Sequence, residues 1–126
     1  MAASSSPSII PIFTSRGDVA AFLTYPHLFN GNGEWVGWVT PSRDVYSVLG
    51  FYVGFLTDDP RILRKRSDTS RPRKTPPPPA HRILVPSRVP LAHLMSELTH
   101  DLVDVLMEEP EKLHTLDSGE LRDDMG

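Results

Sequence analysis

Residues 13–23 read FTSRGDVAAFL, residues 29–39 read FNGNGEWVGWV and residues 46–56 read YSVLGFYVGFL. Aligned on Gly17, Gly33 and Gly50, the three stretches share an aromatic four positions earlier, at Phe13, Phe29 and Tyr46. Four positions after the glycine comes a small residue (Ala21, Gly37, Gly54), then an aromatic (Phe22, Trp38, Phe55), then Leu or Val. A sequence that repeats in this way is built from repeated structural units. Each unit reads as a β-hairpin: a short strand, a glycine turn, and a second strand of about five residues. Asn30-Gly31-Asn32-Gly33 suits a turn that needs positive φ, and Gly17 and Gly50 hold the equivalent position. Thr24-Tyr25-Pro26-His27, Thr40-Pro41-Ser42-Arg43 and Asp58-Asp59-Pro60 punctuate the chain between hairpins. The pattern predicts an antiparallel meander with no helix before about residue 86.

Side chains alternate along a strand, so Val19, Trp35 and Tyr52 share a face with Ala21, Gly37 and Gly54. The opposite face carries Ala20, Val36 and Val53 with Phe22, Trp38 and Phe55. Both faces are apolar, so neither is expected to be fully wet. Small strand residues mark close approach by neighbouring backbone or by a ligand. Ala21, Gly37 and Gly54, with Phe22, Trp38 and Phe55, are therefore the candidate ligand contacts. A fourth unit is due near Ile62, but no glycine turn follows it. Two completions are open: residues 82–85 (Arg82-Ile83-Leu84-Val85) return to pair with it, or a second chain covers the open edge.

The rest of the 126 residues contrasts with this core. All ten aromatics lie between Phe13 and Phe55. Net charge is −3 over residues 1–60, +8 over 61–88 and −8 over 89–126, so the overall −3 conceals two opposed blocks. The length allows one small domain with attachments. The absence of cysteine excludes disulfides and thiolate metal sites. No apolar run approaches the ~20 residues of a spanning helix, and the start of the chain lacks the features of a secretory signal. A reduced, cytoplasmic setting is the expectation.

The unit of aromatic, three residues, Gly, two residues, then Ala/Val-Ala/Gly-Phe/Trp-Leu/Val resembles the four-fold beta-flower domain of bacterial proteins. The matching residues are Phe13, Gly17, Ala21, Phe22; Phe29, Gly33, Gly37, Trp38; and Tyr46, Gly50, Gly54, Phe55, over about residues 11–64. The resemblance implies a shallow, pseudo-symmetric β-barrel whose hairpins radiate around an apolar centre. It implies no activity and no catalytic residue. The family pattern continues directly into a fourth strand, and this chain departs from it after Arg64.

Beyond the repeat, residues 65–81 read as a basic, proline-rich linker. Arg64-Lys65-Arg66 with Arg71, Arg73 and Lys74 form a candidate anion-binding set for an anionic membrane surface or, less favoured, nucleic acid. No aromatic is interleaved for base stacking. Pro76-Pro77-Pro78-Pro79 favours a polyproline II rod, acting as a spacer or as a ligand for aromatic-lined grooves. Leu91, Leu94, Met95, Leu98, Leu102, Val105 and Leu106 recur at spacings of one, three and four, which predicts an amphipathic helix over 86–110. His93, Glu97, His100 and Asp104 form a row on its polar face; Glu97-x-x-His100 is half of a dimetal signature, but no facing helix supplies the other ligands. Residues 1–10 and the acidic 111–126 read as disordered tails. No phosphate loop, nucleophile elbow or HExxH occurs, and Asp58-Asp59 is ordinary turn chemistry. The expected fold is therefore mainly β: a pseudo-symmetric antiparallel hairpin repeat, a proline-rich linker and one C-terminal amphipathic helix. The expected function is a non-enzymatic interaction or assembly module, without cofactor or metal, whose helix docks on a protein partner or a second copy. A phospholipid-binding module and a small apolar ligand in the barrel centre are the alternatives.

Overall fold

The computed structural model describes residues 8–68 and 70–116. Eight antiparallel strands follow one another in sequence order: β1 (Ile10–Phe13), β2 (Val19–Thr24), β3 (His27–Phe29), β4 (Trp35–Val39), β5 (Asp44–Ser47), β6 (Tyr52–Leu56), β7 (Ile62–Lys65) and β8 (Leu102–Asp104). Each pairs with its sequence neighbours, and the sheet curls into a half-barrel. A short helix, α1 (Val105–Glu108), and a 3₁₀ turn at Pro110–Lys112 follow. The mainly β expectation holds. Ile10 already belongs to β1, and most of both expected tails lies outside the described residues.

The three hairpin turns share their local geometry. Gly17, Gly33 and Gly50 have φ of +92°, +81° and +89°. Each donates its N–H to the carbonyl three residues back: Thr14 at 2.9 Å, Asn30 at 3.0 Å and Ser47 at 2.9 Å. The ladder shifts register between Ile12 and Phe13, Leu28 and Phe29, and Val45 and Tyr46, beside each opening aromatic. Such irregularities bend a strand and sharpen its twist.

Curling brings one face inward. Ile12 pairs with Ala21, Leu28 with Gly37 and Val45 with Gly54. Ile12, Ala21, Leu28 and Val45 join Leu23, Val36, Val39, Val53, Leu56, Ile62 and Val105 in one buried cluster. The small residues serve packing. A Cβ on Gly54 would stand 2.3 Å from the Leu63 carbonyl oxygen, and one on Gly37 would stand 2.6 Å from that of Tyr46. The space above them is taken by residues later in the chain: the Cβ on Gly37 would lie 2.8 Å from Leu113 Cδ2, and that on Gly54 3.4 Å from Val105 Cγ2.

The fourth pair corrects both expected completions. β7 pairs with β8, Leu63 opposite Asp104 and Lys65 opposite Leu102, so neither residues 82–85 nor a second chain supplies that strand. β1 and the turn that follows it meet this end of the sheet along a seam of backbone and side-chain hydrogen bonds. Ser15 donates its N–H (2.7 Å) and its hydroxyl to Asp104 Oδ2. Arg61 Nη1 donates to Ser15 Oγ at 2.9 Å, and Phe13 N–H to the Pro60 carbonyl at 3.0 Å. Arg61 and Asp104 are 3% and 1% exposed. Charges buried this deeply must be paired; Arg61 holds Asp59 at 2.7 Å, and Asp104 also caps α1 through Met107 N–H.

Residues 66–68 and 70–101 form neither a free linker nor a long helix. From Pro77 to Leu98 every third residue is half-buried (77, 80, 83, 86, 89, 92, 95, 98) and all others except Val85 are exposed. Three residues is the period of polyproline II, not of an α-helix. This belt passes the hairpin turns in reverse order. Lys74 N–H donates to the Gly50 carbonyl and Ile83 N–H to that of Gly33, both at 2.9 Å, and Ala92 Cβ lies 3.8 Å from a Cβ built on Gly17. Arg66 N–H then closes the loop on the Asp101 carbonyl at 2.8 Å. The helix expected over 86–110 is thus confined to Val105–Glu108. Pro86 and Pro90 cannot donate in a helical ladder, and the edge of β7 captures Leu102–Asp104 as a strand. Leu91 and Leu94 are 93% and 102% exposed, whereas Val105 is fully buried.

Candidate functional site

The turns that link successive hairpins line one shared opening of the half-barrel. Each follows an inward residue of the repeat's last position: Leu23, Val39 and Leu56, 4%, 2% and 8% exposed. A threonine comes next in every copy. Thr40 Oγ1 accepts Asp44 N–H at 3.1 Å, and Thr57 Oγ1 accepts Arg61 N–H at 2.8 Å. Thr24 Oγ1 is buried with no partner among the described residues, and its turn contains a cis Tyr25–Pro26 bond. Arg43 adopts φ of +71°, rare for a residue with a side chain. Its Nε donates to the Leu56 carbonyl at 3.0 Å and its Nη2 reaches Asp58 at 3.1 Å, tying two turns together.

These turns surround a cavity of about 600 Å³. Leu23, Val39 and Leu56 floor it; Ile10, Tyr25, Pro41 and Pro60 extend the apolar wall. Thr40, Arg43, Thr57, Asp58 and, from the belt, His93 provide a polar margin. Ile10 and Tyr25 are 42% and 58% exposed, so the mouth has an apolar lip. The volume lies within the usual 300–1,000 Å³ of small-molecule sites, which pair an apolar lining with a few polar groups.

The residues singled out by sequence lie elsewhere. Ala21, Gly37 and Gly54 are in the packed core. Phe22 is buried and pairs with Phe29, Trp38 stacks on Tyr46 at 5.0 Å, and Phe55 pairs with Leu63. Most of the candidate anion-binding set is engaged within the chain. Arg64 pairs with Glu109 at 2.8 Å, while Arg66 donates to the His100 carbonyl. Arg71 pairs with Asp68 at 2.8 Å and lies over the Tyr52 ring. Arg73 donates to the Leu49 carbonyl and covers Phe51, and Lys74 sits over Tyr46. Lys65 is exposed. Of the expected interaction helix, Met95, Leu98, Leu102 and Leu106 are half-buried, and they share no helical face.

The row His93, Glu97, His100 and Asp104 is broken up: His93 lines the mouth and Asp104 lies in the seam with Ser15. Among the described residues no group of three His, Asp or Glu is placed to hold a metal ion. Asp58 and Asp59 point to different guanidiniums, Arg43 and Arg61, and do not form an acid pair. Burial raises the Asp59 pKa, but hydrogen bonds from Arg61 and Thr57 outweigh this and hold the carboxyl below its usual range. Burial pushes His27 below the ordinary imidazole value, as the neutral ring avoids the cost of an unpaired buried charge. No helix among the described residues is long and apolar enough to cross a membrane. Comparison with family models, curated proteins and solved structures finds no match to this chain.

Proposed function

We propose that this chain is a non-enzymatic binding module that takes a small apolar ligand with one polar end into the mouth of the half-barrel. The carrying observation is the cavity of about 600 Å³ floored by Leu23, Val39 and Leu56 and edged by Thr40, Arg43, Thr57, Asp58 and His93. We read the fold as a four-unit beta-flower, with β7–β8 as the fourth petal. The three hairpins with equivalent glycine turns support that reading, because each contributes the same floor position to the mouth. This reading moves the apolar ligand from the packed centre to its rim. It also replaces helix-mediated docking, since the leucines that were to form one face are divided between belt, strand and short helix.

The test is methyl NMR on the intact chain titrated with octanoate and with 1-octanol. The Leu23, Val39 and Leu56 methyls are expected to shift saturably, while those of Leu84 and Leu91 stay still. Ile10→Arg, at the exposed lip, should weaken the response. No saturable shift at the three floor residues with either probe overturns the proposal.

A further inference from the structure

Four residues among those described have positive φ, and all four share one backbone device. Gly17, Gly33 and Gly50 each donate their N–H to the carbonyl three residues back. Arg43 does the same, with φ of +71° and its N–H on the Thr40 carbonyl at 2.8 Å. Glycine takes this conformation freely, whereas a residue with a Cβ is strained in it. Here the strained position carries a guanidinium on the wall of the mouth. Arg43 Nε donates to the carbonyl of Leu56, a floor residue, at 3.0 Å. Stability alone does not account for the arginine. Its ion pair with Asp58 is open to water, the two side chains being 49% and 99% exposed, and such pairs contribute little. Residues held in sparsely populated backbone conformations cluster at ligand clamps.

The rest of the margin narrows what Arg43 can serve. Thr57 donates its hydroxyl to Asp59, and Thr40 shares a hydrogen bond with Ser42. Ionised Asp58 only accepts. A guanidinium has five donors; Arg43 uses Nε on Leu56 and turns Nη2 to Asp58, and Nη1 takes part in neither contact. The mouth thus sets a half-exposed cation with free donors beside an apolar floor. We propose that Arg43 reads the head of the ligand and that this head is a carboxylate, so that the mouth takes an ionised alkyl acid with its chain on Leu23, Val39 and Leu56. This inference rests on the mouth being the binding site. A guanidinium takes a carboxylate through paired, charge-assisted N–H···O bonds. An alcohol can accept only as a neutral group, and an alkylammonium brings donors and a like charge.

The test compares three heads on one chain length. Octanoate, 1-octanol and octylammonium are titrated into the intact protein at neutral pH, and Kd values are read from the Leu23, Val39 and Leu56 methyls. Octanoate is expected to bind at least tenfold tighter than 1-octanol, although the alcohol is the more apolar of the two, and octylammonium should bind weakest. Arg43→Gly keeps a residue suited to this φ and removes the guanidinium; it should bring octanoate and octanol within threefold of each other. A tie between turns has no reason to change that ratio. The three-head comparison in the unaltered chain decides the head even where the variant folds poorly. Octanoate and octanol within twofold of each other in the unaltered chain, or octylammonium binding tightest, overturns the carboxylate and leaves the mouth as a site. A tenfold preference that survives in Arg43→Gly overturns the role of Arg43. No saturable shift with any of the three overturns the mouth reading and this inference together.

Discussion

Replacing Gly33 by alanine separates the cost of a turn from the cost of losing the belt. Gly33 has φ of +81°, and a side chain in the left-handed region costs about 1–2 kcal/mol. At this position the new Cβ would also stand 2.0 Å from the Ile83 carbonyl oxygen, so the belt must leave the turn. That breaks the Ile83–Gly33 and Arg82–Asn32 hydrogen bonds, each about 1 kcal/mol net. It also re-exposes a half-buried isoleucine, roughly another 1 kcal/mol. The expected loss is about 4–5 kcal/mol. Gly17→Ala is the control. Its φ is +92°, but the nearest non-neighbouring atom is Ala92 Cβ at 3.8 Å, so only the turn cost of about 1–2 kcal/mol applies. Urea denaturation followed by tryptophan fluorescence measures both, and limited trypsinolysis at Arg82 and Arg88 reports whether the belt has lifted. The reasoning fails if Gly33→Ala and Gly17→Ala agree within about 0.5 kcal/mol, the range of changes without structural consequence, and tryptic cleavage is unchanged.

Ser15→Ala leaves the buried Asp104 carboxylate and Arg61 guanidinium each short of a partner at the seam; thermal denaturation should show a loss of about 1–3 kcal/mol. Val105→Ala removes two methyls from a fully buried site, about 2 kcal/mol, whereas Leu94→Ala, at an exposed site, stays within about 0.5 kcal/mol. A helix burying one leucine stripe would make the two losses alike in urea melts. Asp59 and His27 both contribute to acid sensitivity, beside the exposed Asp68 and Asp101, which are also held below the usual carboxyl range by hydrogen bonds from Arg71 and Thr99. Asp59, held below its usual range, stabilises the fold above the unfolded carboxyl value of about 3.9, and this is lost as pH falls through its folded pKa. His27, held low, favours the fold above about pH 6.5 and withdraws that support as the unfolded chain takes up a proton below it. Melting temperatures across pH 2–8 should show a smaller lower step in Asp59→Asn and lose the upper one in His27→Gln.

The hairpins were legible because their signal is local. Gly17, Gly33 and Gly50 announce positive φ within a few residues of the strands that they join, and the structure has that conformation at all three. The fourth pair was not, because Leu102–Asp104 lies far along the chain from Ile62–Lys65 and carries no turn to mark it. The belt was misread because 3.0 and 3.6 residues per turn diverge slowly. Over residues 91–106 the leucines satisfy a helix; the period of three across 77–98, broken only at Val85, is one of burial, and Leu84, Leu91 and Leu94 lie off it. The mouth was half-visible. Leu23, Val39 and Leu56 hold the same place in each repeat, but their meeting on one floor depends on how the sheet curls.

Amide hydrogen exchange at Lys74 and Ile83, resolved by NMR on the intact chain, tests most directly whether residues 70–101 are a belt bound to the hairpin turns. Both amides donate to turn carbonyls at 2.9 Å, so the account predicts protection well above that of exposed belt residues such as His81, and its loss in Gly50→Ala and Gly33→Ala respectively. Exchange of both amides at the rate of an unstructured chain would contradict it.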